Sequence, residues 1–184
     1  MLYLESMKRV LYTLIIAAGL TVLFGFAAQS VHAQSNQLSS EQIERIRSNC
    51  TSTKSILTQL HASDALLRVN RGQVYESMAN KLMEPFNSRL SNNRLDNKAT
   101  SVVTTSYRSS LDTFRTDYKS YEEKLSRAIR IDCTADPETY YYTIEEAREL
   151  RTKVHESVNK LHRYIDDYRT AVGDFLLNYE RLSE

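Results

Sequence analysis

Two cysteines, three histidines and a run of three tyrosines carry most of the chemistry available to residues 34–184 of this 184-residue chain. A cysteine thiolate acts as a nucleophile beside a base, as a metal ligand among further ligands, or as half of a staple opposite a second cysteine. Cys133 lies in the stretch DCTADPE (132–138), between two helix-like runs, and its counterpart is Cys50. The sequence holds no CxxC pair, CxxCH, GxSxG, HExxH or glycine-rich phosphate loop. His61 stands apart, while His155 and His162 are seven residues from each other and share a helix face as surface histidines commonly do. Neither a metal nor another cofactor is expected. Adjacent carboxylates such as Glu122-Glu123, Glu145-Glu146 and Asp166-Asp167 point to different faces of a helix and read as solvated charge. Taken together, these residues predict a protein that is not an enzyme.

The compartment decides between thiol and staple. Lys8-Arg9 precedes VLYTLIIAAGLTVLFGFAA (10–28), a charge-free apolar run, and Val31-His32-Ala33 supplies the small residues of a signal-peptidase site. Residues 1–33 therefore read as a signal peptide, and 34–184 as one exported helical domain. If cleavage fails, residues 10–28 are the membrane contact, being near the lower length limit for a span. Either way the cysteines face an oxidising setting, where a disulfide persists. Removing Lys8, Arg9 and Glu5 from totals of 24 basic and 23 acidic residues leaves 22 of each in 34–184. A neutral chain lacks the basic field that nucleic-acid binding needs, so no nucleic-acid partner is expected.

Few turns are available to this domain. It has two glycines, Gly72 and Gly173, and two prolines, Pro85 and Pro137, where average usage would place about eighteen. Long helices follow. From Ile144 the apolar residues step three and four apart, settling from Val158 into a heptad of Val158, Ile165, Val172 and Tyr179 alternating with Leu161, Tyr168, Phe175 and Leu182. Asp136 as N-cap and Pro137 at the first helical position predict a helix over 137–183. Tyr107, Leu111, Phe114, Tyr118, Tyr121, Leu125 and Ala128 predict another over about 98–131, against the strand propensity of a run in which ten of twenty-one residues (100–120) are Ser or Thr. A first helix is expected to open at the Ser39-Ser40 cap and to run through Ile43, Ile46, Leu57, Leu60, Leu67, Val74, Met78, Leu82 and Phe86. Pro85 kinks or breaks it, and Gly72 is a second candidate break.

Folding the first two helices back on each other at SNNRLDN (91–97) places the cysteines opposite one another, because their midpoint falls at residues 91 and 92. The same register sets Leu57 against Leu125 and Val74 against Leu111. The third helix, returning from the turn at 133–136, sets Leu125 against Ile144 and Leu111 against Val158. The expected fold is all-α: an elongated antiparallel three-helix bundle, coiled-coil-like, stapled by Cys50 and Cys133.

Two groups stand out from that frame. Tyr140, Tyr141 and Tyr142 are consecutive, so at least one must be exposed; they are a candidate contact patch for a protein or a glycan. Asp64, Arg71 and Arg151 interrupt the apolar seams, with Arg151 placed opposite Tyr118. Such residues either fix register, with Arg151 on a tyrosine face, or line a polar groove.

LSSEQIERI (38–46) resembles the helix-opening motif of small periplasmic stress chaperones of the LTxxQ type, over nine residues that are mostly a capping signal. Prefoldin-like periplasmic holdases are similar in length, export and helicity but strongly basic, so no family is assigned. The expected function is an exported scaffold or adaptor of the cell envelope or exterior, acting by contact with a protein partner or with its own copies. The alternative expectation is a chaperone-like holdase.

Overall fold

The computed structural model describes residues 37–183, so the expected signal peptide at 1–33 and the apolar run at 10–28 lie outside the described residues. Those residues form α1 (Ser40–Ser48), α2 (Cys50–Ser77), a π-helical segment π1 (Met78–Met83), α3 (Glu84–Asn92), α4 (Lys98–Arg130) and α5 (Pro137–Ser183), with no strand among them. The fold is all-α, as expected. No described helix is long and apolar enough to cross a membrane.

The expected three helices are not what the chain forms, because the first is divided into four segments. α1 opens on a capping box: the Gln42 amide donates to Ser39 Oγ at 3.2 Å, and the Ser39 amide to Gln42 Oε1 at 2.8 Å. It closes at Asn49, whose side-chain amide takes the Arg45 carbonyl at 2.8 Å in competition with helical continuation. α2 then runs unbroken through Gly72, the second candidate break. The predicted interruption at Pro85 arrives instead as π1 just upstream. A proline lacks an amide proton and crowds the carbonyl four residues before it, and a wider i→i+5 turn relieves that crowding without ending the helix.

π1 also corrects the register. From Tyr75 to Asn87 the buried residues are Tyr75, Ala79, Met83 and Asn87, spaced strictly by four, whereas Val74, Leu67 and Leu82 are exposed. Four-residue steps drift around an α-helix but stay on one face where the turns widen. Val74 therefore does not face Leu111; Tyr75 packs with Leu111 and Phe114 instead. Leu57 does share a layer with Leu125, and Leu111 shares one with Val158. Ile144 packs with the cysteines, and Leu125 meets Ala147 and Leu150 in its place.

α4 is helical despite its hydroxyl content because the hydroxyls bond back to their own helix. Thr104, Thr105, Thr113 and Thr116 each donate to the carbonyl four residues earlier, at 2.8 to 3.1 Å. α3 ends in a Schellman turn, with the Leu95 amide on the Leu90 carbonyl at 2.9 Å and Arg94 at φ 58°. At the other end of α4, Asp132 Oδ1 accepts from the amides of Thr134 and Ala135, and Asp136 Oδ1 accepts from the Thr139 amide, so the turn leads directly into α5. These hydrogen bonds hold the Asp132 carboxyl below its ordinary pKa, with the Thr134 hydroxyl the largest cause. On α5, Leu161 and Tyr168 are buried as the heptad requires, but Tyr179 is exposed. The side chain of Leu182 lies outside the described part.

Candidate binding cleft between α2 and α5

The cysteines close one end of the fold. Cys50 and Cys133 are disulfide-bonded with Cα atoms 5.6 Å apart, and Tyr140 packs on them with 2% of its surface exposed. The three-tyrosine patch is therefore smaller than expected: Tyr140 belongs to the core, where burial raises its phenol pKa. Tyr141 and Tyr142 pair edge to face at 5.4 Å, and Tyr142 is exposed. Consecutive helical side chains point about 100° apart, so one of the three had to turn inward.

Two cross-links join α2 to α5 farther along. The Asp64 carboxylate accepts from Tyr121 Oη at 2.6 Å and from Arg151 Nε at 3.2 Å, tying α2, α4 and α5 together. Eleven residues on, Tyr75 Oη lies 3.0 Å from His162 Nε2. Residues 64 and 151, like 75 and 162, are 87 apart in sequence, as are Arg47 and Thr134, whose side chain and carbonyl bond at 3.2 Å. α2 and α5 therefore run parallel at a constant offset. From the end of π1 the offset falls, for Tyr168 Oη bonds the Met83 carbonyl 85 residues back and Asn87 Oδ1 81 residues back.

From the first cross-link to just short of the second, α2 and α5 part over α4 and leave a cleft of about 590 Å³. Its floor is aromatic. Ring centroids of Phe114 and Tyr118 are 6.5 Å apart and those of Tyr118 and Tyr121 6.1 Å, a continuous row along α4, and Tyr75 of α2 meets its Phe114 end at 5.6 Å from outside the cleft. Leu67, Val154 and Val158 add apolar walls. Four guanidinium groups, Arg68, Arg71, Arg148 and Arg151, line it against one carboxylate, Asp64.

Those cations are held differently. Arg151 pairs with Asp64, a hydrogen bond that raises its pKa, and Arg148 pairs with Glu145. Arg68 lies over the Tyr118 ring, 5.1 Å from its centroid, and Arg71 sits beside the Tyr75 phenol. Neither Arg68 nor Arg71 makes an ion pair among the described residues. Burial raises the phenol pKa of Tyr118, Tyr121 and Tyr75; Asp64 adds to the first two, and Arg71 opposes the third.

The expected placement of Arg151 on Tyr118 is thus corrected: Arg68 occupies the ring and Arg151 takes Asp64. Asp64, Arg71 and Arg151 all line the cleft. Arg68, Arg148 and His155 complete its rim and were not visible as a group in the sequence. Their only signal there is a pair of Arg residues three apart on each helix, which gains meaning once α2 and α5 are known to be parallel neighbours. His162 is engaged by Tyr75, and His61 by Glu122 and Ser126, each at 3.1 Å. No group of three His, Cys, Asp or Glu residues that could hold a metal occurs among the described residues. Comparison with protein-family models, curated proteins and solved structures finds no match to this chain.

Proposed function

We propose that this protein is an exported, non-catalytic scaffold or adaptor that works by protein contact. One observation carries the reading. On α2 the large apolar side chains Ile56 and Leu66 are 63% and 64% exposed, and Val69 and Val74 are about half exposed. Large apolar side chains left this exposed on one helix are the kind of surface that a partner covers. The body behind it, in this proposal, is the elongated antiparallel bundle of three legs, spanning 40–92, 98–130 and 137–183. The 47 residues of α5 would give it a length of about 70 Å. A disulfide within the body favours work outside the cytoplasm.

Crosslinking in intact cells followed by affinity capture tests the reading. The wild-type chain should retain a reproducible partner, or its own copies, and a Leu66→Asp/Val69→Asp variant with unchanged thermal stability should lose them. Equal capture by both would overturn it. The holdase reading rests on the same exposed residues. Suppression of aggregation of several unrelated unfolding clients, with no stable partner captured, would select that alternative.

A further inference from the structure

We infer that the cleft between α2 and α5 is a binding site for a small amphiphilic anion: one acidic head group on an apolar body. This goes beyond the contact function and does not rest on it.

Three observations converge. The cleft volume of about 590 Å³ falls within the range of roughly 300 to 1,000 Å³ common to small-molecule sites. Its floor of Phe114 and Tyr118 and its walls of Leu67, Val154 and Val158 suit an apolar body. Its charge suits an anion, since four guanidinium groups face one carboxylate that Tyr121 and Arg151 already occupy. Arg68 and Arg71, three apart on α2 and free of ion pairs among the described residues, are the head-group ligands. A guanidinium carries five N–H donors and the ring face engages it without taking them all, so Arg68 can grip an acid oxygen without leaving Tyr118.

The cross-links limit the ligand's size. Eleven residues separate Asp64 from Tyr75, about 16 Å of helix rise, and a side-chain bridge crosses from α2 to α5 at each end. A polypeptide strand, at about 3.3 Å per residue, would place only about five residues between the bridges before having to cross one. A small molecule lies wholly between them.

Calorimetric titration of the full-length protein with a set of ligands that share one chain and differ in head group tests this. Decanoate or decyl phosphate should bind saturably at one site, and the tighter of the two identifies the head as carboxylate or phosphate. Decanol, which lacks the charge, and butyrate, which lacks the body, should each bind roughly ten-fold more weakly or less. An Arg68→Gln/Arg71→Gln variant should lose roughly ten-fold in affinity for the acid and nothing for decanol, with its melting temperature unchanged. Amide shifts in nuclear magnetic resonance should localise the effect to residues 64–71 and 148–158. Should that variant fail to fold, Leu67→Trp, a substitution at an exposed position on the rim, should block the same titration. Absence of saturable binding, equal affinity for decanol, or shifts confined to other residues would each overturn the inference.

Discussion

Tyr75 and His162 stand 87 residues apart in the chain and 3.0 Å apart in space, the offset that also joins Asp64 to Arg151. Equal offsets at two points eleven residues apart mean that α2 and α5 keep step, and the cleft is the interval between the points where they are tied.

The two partners of the first tie are unequal. Asp64 is largely buried and serves both Tyr121 and Arg151, whereas the Arg151 side chain is about half exposed. Asp64→Ala leaves the buried Tyr121 hydroxyl without its acceptor and should cost about 1 to 3 kcal/mol. Arg151→Ala should cost no more than about 1 kcal/mol. Thermal melts of the two variants check this, and an Arg151 effect equal to or larger than that of Asp64 would contradict it.

The disulfide closes a loop between residues separated by 83 positions. In the chain-entropy account that constraint is worth about 4 to 5 kcal/mol. A Cys50→Ser/Cys133→Ser variant should melt roughly 10 °C lower than the oxidised protein, since each kcal/mol moves a domain of this size by about 2 to 4 °C. Melting the wild type with and without reductant should reproduce the difference.

Alkaline pH should unfold the protein through its buried phenols. Burial raises the Tyr168 hydroxyl, which donates to the Met83 carbonyl and to Asn87, to a pKa of about 12. Tyr75, Tyr107, Tyr118, Tyr121 and Tyr140 are raised by burial as well. A raised value means that the neutral phenol is favoured in the fold. Its contribution is complete below the unfolded value near 10 and is lost as pH rises through about 12. Tyrosinate absorbance from these residues should appear together with loss of helical circular dichroism in that window. Tyr168→Phe, which keeps the ring and removes the titrating group, should soften the alkaline loss of stability.

Arg94 occupies, with φ at 58°, the position where a helix terminus usually carries glycine. The left-handed conformation costs a side-chain-bearing residue about 1 to 2 kcal/mol, offset in part by the greater freedom of glycine in the unfolded chain. Arg94→Gly should raise the melting temperature by about 1 to 3 °C, and Arg94→Ala should leave it unchanged. A fall on introducing glycine would mean that the Arg94 side chain contributes contacts outweighing the strain.

How much could be read in advance differs between the two ends of the chain. The start of α5 at Pro137 follows from a cap and a proline within the same few residues, and α4 follows from an apolar stripe dense enough to outweigh its threonines. α2 resisted, since it packs by a narrow face and exposes Leu66, Leu67, Val69 and Val74, so hydrophobicity stopped marking the inside. Val74 and Tyr75 are adjacent and both apolar enough for a core. Only the wider turns of π1, together with a ring that reaches Phe114 while its hydroxyl meets His162, select the tyrosine.

Local chemistry, legible from the amino-acid order alone, determined that the chain is helical, where its turns fall, and that Cys50 and Cys133 can meet. These depend on caps, periodicity and spacing, which act over a few residues or through one hairpin. What only the tertiary structure decided is the cleft: that Arg68 and Arg71 on one helix face Arg148 and Arg151 on another across a row of rings from a third. That arrangement depends on two helices not adjacent in the chain parting over a third between their cross-links, which no pattern within a single helix encodes.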